Sequence, residues 1–97
     1  MRYLSNPVSL HAIIHGHVQG VFFRAFIVER AVELGLTGYT CNLPSRVDVE
    51  VQIEGDKAKL EKLVEQLKVG PPGARVEIVV TNWSKYTGKY SHFTIRN

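Results

Sequence analysis

Apolar and polar residues alternate from Val8 to His15. Val8, Leu10, Ala12 and Ile14 share one side, and His11, Ile13 and His15 the other, which is the period of a strand. The period then lengthens. From about Phe23 to Leu34, the residues Phe23, Ile27, Ala31 and Leu34 stack on one helical face, with Glu29, Arg30 and Glu33 among the polar positions. Gly35 ends that helix. Leu36 to Leu43 reads as a second strand and Pro44 to Arg46 as turn material. Val47 to Ile53 alternates again, with Val47, Val49, Val51 and Ile53 set against Asp48, Glu50 and Gln52, so the two strands form a hairpin. Asp56 has the character of an N-cap. Leu60, Leu63, Val64 and Leu67 define a second amphipathic helix, which stops at Gly70 because Pro71 and Pro72 cannot continue it. Ala74 to Val80 predicts a fourth strand, Asn82 to Tyr90 a loop, and His92 to Arg96 a short last strand.

The order is β-α-β-β-α-β with an added terminal strand. Right-handed crossovers then place both helices on one face of the sheet. The expected fold is α+β, a ferredoxin-like βαββαβ sandwich: an antiparallel sheet, two helices on one face and a short C-terminal strand. The apolar stripes are accounted for as core. With 97 residues, the chain suits one domain over residues 8–97, preceded by a lead segment over residues 1–7.

Composition adds little to this. The chain is 44% hydrophobic and 22% charged, as expected of a globular domain. A net charge of +3 is compatible with a small anion or with nucleic acid and selects neither. The single cysteine, Cys41, excludes an intramolecular disulfide and favours a reducing, cytoplasmic setting. No run approaches the roughly 20 apolar residues that cross a bilayer, and Met1 to Pro7 lacks the apolar core of a signal peptide.

The chemistry concentrates in "HGHVQGVFFR", His15 to Arg24. Gly16 and Gly20 allow positive φ, which lets successive N–H groups converge as a nest. The run feeds a helix start, whose free N–H groups and dipole favour an anion. Arg24 in the first turn opposes that dipole by about 0.3–1 kcal/mol, and a phosphate gripped by its guanidinium would offset the cost. The residues alone leave a plain strand–turn–helix joint equally open. The run fits neither the Walker A loop nor the dinucleotide fingerprint.

The stretch Gly16 to Arg24, "GHVQGVFFR", resembles the first motif of the acylphosphatase family. Gly38 to Val51, "GYTCNLPSRVDVEV", is similar to the second, and "GPPGARVEIV" and "HFTIRN" are similar to later segments. The likeness runs from about Val8 to the end of the chain. It implies hydrolysis of the carboxyl–phosphate bond of a small acyl phosphate. Arg24 matches the arginine that binds the phosphate, and the backbone of His17, Val18, Gln19, Gly20, Val21, Phe22 and Phe23 would complete the cradle. Asn42 matches the asparagine that positions the attacking water. The resemblance implies no metal and no cofactor. It comes with the expectation of a monomer that engages neither nucleic acid nor membrane. Two departures stand out. Thr40 and Cys41 replace a valine and a usually basic residue, and the turn reads "PSR" without glycine.

Asn42 alone could cap a turn. Cys41 and Arg46 are separated by only four residues, too few for a cysteine-phosphatase loop, so an inert thiol is expected. His11, His15, His17 and His92 lack evident metal-ligand partners and are expected at the surface. An RNA-recognition module needs stacking aromatics on the open sheet face, where Asp48, Glu50 and Gln52 stand instead. The rival function is a non-enzymatic ferredoxin-like module that binds an anionic metabolite or a protein partner.

Overall fold

The computed structural model describes residues 6–45 and 47–96. Arg46, the last residue of the expected turn, and residues 1–5 of the expected lead lie outside them. Seven elements follow in order: β1 (Pro7–His17), α1 (Phe23–Glu33), β2 (Thr37–Asn42), β3 (Val49–Asp56), α2 (Lys57–Val69), β4 (Arg75–Lys85) and β5 (Phe93–Arg96). The five strands form one sheet in the order β4-β1-β3-β2-β5. The pairs β1–β3, β1–β4 and β2–β3 are antiparallel, while β5 runs parallel to β2. This is the ferredoxin-like α+β sandwich that the periodicity predicts, with the added strand making the sheet mixed.

The two periods meet in the core. Leu10, Ala12 and Ile14 of β1 and Val49, Val51 and Ile53 of β3 are buried together with Phe23, Ile27 and Ala31 of α1 and Leu60, Leu63, Val64 and Leu67 of α2. Leu34 is only half-buried, because it is the C-cap of α1 and not part of its last turn.

Several strand boundaries differ from expectation, β1 among them, which starts at Pro7 and runs on to His17. Asn82 to Lys85 belong to β4 and not to a loop, since they pair with Val8 to His11 of β1. β4 is an edge strand exposed along most of its length, so neither face imposes the alternation that would reveal it. β3 starts at Val49, and Val47 is an exposed bend residue. The hairpin nevertheless closes without a turn glycine. Leu43 N donates to Asp48 O at 3.0 Å, and Asp48 N donates to Ser45 Oγ at 3.2 Å.

The segment from β4 to β5 must return from one sheet edge to the other. Glu54, 1% exposed, pins it. Its carboxylate accepts from Thr87 N at 3.0 Å, Thr87 Oγ1 at 2.8 Å and Gly88 N at 3.0 Å. Burial pushes this carboxyl up. The bonds from Thr87, Gly88 and Ser9 together outweigh burial and hold it below the ordinary glutamate range.

Candidate active site

β1 ends at the site through a bulge between His15 and Gly16. Gly16 has φ 139°, and a side chain there would collide with the Arg75 carbonyl of β4. Only glycine lets the two backbones approach this closely. Beyond it the backbone alternates. Gly20 has φ 75° and Phe22 φ 60°, whereas Val21 and Phe23 are not among the positive-φ residues. Alternating signs of this kind turn consecutive N–H groups to one side, the geometry of an anion nest. Phe22 O then accepts the first helical bond, from Phe26 N at 3.0 Å, and α1 begins.

A pocket of about 270 Å³ opens over this junction, lined by Val18, Gly20, Phe22, Phe23, Arg24 and Ala25 with Asn42 and Ile95. Its size is close to the lower end of small-molecule sites, which run from about 300 Å³ upward. Arg24 comes from the first turn of α1 and Asn42 from the last residue of β2. Strand alternation puts Asn42 on the helix side of the sheet, together with Thr40.

Four hydrogen bonds tie the loop to the β2–β3 connection. Val18 N donates to Val47 O at 3.3 Å, and Gly16 N to Asp48 Oδ1 at 3.4 Å. Gln19 Nε2 donates to Leu43 O at 3.0 Å and to Asp48 O at 2.8 Å. Asp48 also faces His15, with Oδ2 at 3.1 Å from Nδ1. Asn42 immediately precedes Leu43, so this stitching fixes the distance between its amide and the loop.

The structure therefore brings together Arg24, Asn42, Val18, Gly20, Phe22 and Phe23. It does not bring the side chains of His17, Gln19 and Val21 into the pocket. His17 ends β1 in solvent, Gln19 reaches the turn, and Val21 packs against the core. Ile95 and Ala25 line the pocket without having been expected there. For Ile95 the only sequence signal is its alternation with Arg96 on the last strand.

Both departures in the second strand find partners. Thr40 is buried, and its Oγ1 donates to Glu50 O at 2.8 Å. Cys41 lies on the opposite, open face, where Sγ is 3.3 Å from Glu50 Oε1. Burial first, and then the bond to Glu50, push its thiol pKa up. Glu50 also meets His11 Nε2 at 2.7 Å, and that bond holds its carboxyl below the usual range. The open face is thus a closed polar network around Glu50, away from the pocket.

The fold and site define an α+β sandwich with a small pocket, lined by Arg24 and Asn42, at its first strand–helix junction. The family model described as Acylphosphatase matches residues 10–95. An acylphosphatase of Dehalococcoides mccartyi is 47% identical over 87 residues, covering 90% of this chain and 96% of that one. The structure of an acylphosphatase from Coxiella burnetii superposes with a TM-score of 0.87 at 40% identity, covering 94% of each chain. That of the Bacillus subtilis acylphosphatase superposes with a TM-score of 0.89 at 30% identity, covering 93% and 99%. The chain belongs to the acylphosphatase family. Its activity is that of the family's enzymes, hydrolysis of acyl phosphates.

Proposed function

We propose that Arg24 and the backbone N–H groups of His17 to Phe23 hold the substrate phosphate, and that Asn42 positions the attacking water. The observation that supports this most is one pocket lined by Arg24, Asn42, Gly20 and Phe22, where the backbone alternates in φ. Water attacks phosphorus as the bond from phosphorus to the acyl oxygen breaks. The electron pair leaves with the carboxylate, one water proton is released, and the other stays on the new phosphate oxygen.

The leaving carboxylate has a pKa of about 4–5, on the scale of Asp and Glu, so no strong general acid is needed. Phosphoryl transfer calls mainly for positioning and charge stabilisation. An arginine fork, a ring of N–H donors and an amide supply both, and the reaction proceeds without a metal or cofactor. We further propose that the chain acts as one domain, with Pro7 already part of it through β1, and as a monomer in the cytoplasm. The core shared by both helices and the sheet among the described residues supports the domain assignment.

The test is hydrolysis of benzoyl phosphate with no added metal and with chelator present. Turnover that disappears in Arg24→Ala and in Asn42→Ala supports the assignment. Phosphate binding without turnover by the unmodified chain would instead make it a binding module.

A further inference from the structure

Phe22 is the anomalous residue of the pocket. With φ 60° and ψ 27° it is left-handed, and it is the only non-glycine with positive φ among the described residues. For a bulky side chain that conformation is an outlier. Its ring is also 85% exposed, at the N-cap position of α1, where a small polar residue is favoured. Neither feature serves the core, because Phe23 beside it supplies the buried ring at 1% exposure. Strain and exposure together at a pocket rim are the pattern expected of a working residue.

The large apolar side chains exposed at this rim are Phe22 and Ile95, the latter 43% exposed on β5. Both line the same pocket as Arg24 and Asn42. We propose that Phe22, with Ile95 in the same pocket lining, is a specificity-determining shelf that receives the acyl group of a phosphate-bound substrate as it projects to the rim, and that it selects aromatic acyl phosphates over acetyl phosphate. It rests on the acyl phosphate assignment above. The left-handed residue leaves its ring exposed at the pocket lining while its neighbour Phe23 is buried in the core.

The experiment compares kcat/KM for benzoyl and acetyl phosphate in the unmodified enzyme, Phe22→Gly and Phe22→Tyr. Glycine adopts the same φ without strain, so the loop path is kept and the ring alone is lost. The benzoyl-to-acetyl ratio should fall about three- to tenfold in Phe22→Gly, the range of one ring–ring contact. Phe22→Tyr should restore it. Intrinsic reactivities of the two substrates cancel in this comparison between variants. An unchanged ratio in Phe22→Gly, or equal losses on both substrates, overturns the shelf and leaves the hydrolase intact. Failure of the unmodified chain to hydrolyse either substrate overturns the hydrolase assignment and the shelf with it.

Discussion

The contact most diagnostic of how the site is assembled is the Gln19 side chain, which never enters the pocket. One amide group donates to Leu43 O at 3.0 Å and to Asp48 O at 2.8 Å. It clamps the loop that carries the N–H donors to the turn that follows Asn42. Each such bond contributes about 0.5–1.5 kcal/mol net, so Gln19→Ala should cost about 1–3 kcal/mol. For a domain of this size 1 kcal/mol moves Tm by roughly 4–8 °C, and the expected drop is about 4–24 °C by calorimetry. The catalytic effect has a separate origin. If the loop and Asn42 drift apart by about 1 Å, the rate can fall about a hundredfold. That loss should appear in kcat more than in KM, because Arg24 still holds the phosphate. Gln19→Glu should be worse than alanine, since it aims a third acceptor at two carbonyl oxygens. Assaying well below Tm separates lost positioning from unfolding. A Gln19→Ala enzyme with Tm within about 2 °C and an unchanged kcat would refute the clamp.

Arg24→Lys should lose roughly 10²–10³ in kcat/KM, the scale of removing a transition-state donor, because a point charge cannot replace a planar fork; near-normal turnover would count against a bidentate grip. Cys41→Ser should retain hydrolysis, and the thiol of the unmodified enzyme should alkylate slowly at pH 8, since burial and Glu50 raise its pKa; loss of activity on alkylation before any change in Tm would point to a chemical role. Glu54 has a folded pKa below its ordinary value of 4.5, so the native state binds this proton more weakly than the unfolded chain does. Its contribution is therefore present above about pH 4.5 and is lost as pH falls through the lower folded pKa. Acid unfolding of Glu54→Gln, followed by circular dichroism, should be shallower over that window and start from a less stable protein at pH 7. An identical acid profile would mean that the latch on Thr87 and Gly88 is not what titrates.

What could be read from the sequence follows from which physical constraint acts at each residue. Core strands and helices are legible because burial enforces a period: Leu10, Ala12 and Ile14 repeat every second residue, and Leu60, Leu63, Val64 and Leu67 follow the helical turn. Asn82 to Lys85 were not, since an exposed edge strand is held by backbone bonds to β1 that any side chain permits. Arg24 and Asn42 could be singled out by residue type within a motif. The clamp role of Gln19 could not, because it depends on where the β2–β3 turn lies in space.

Phe22 marks the limit most sharply, since propensity argues against a left-handed aromatic. That same conflict supplies a stability test. Asparagine tolerates the left-handed region far better than phenylalanine and carries no glycine entropy penalty. Relief of about 0.5–1 kcal/mol is a conservative share of the roughly 1–2 kcal/mol assigned to a left-handed residue, and little packing is lost from a ring that is 85% exposed. Phe22→Asn should therefore raise Tm by roughly 2–8 °C while the benzoyl-to-acetyl preference declines. A stabilised enzyme with weaker aromatic preference is the signature of strain kept for function. A lower Tm in Phe22→Asn would show instead that the ring stabilises the fold, and the strain argument would fail.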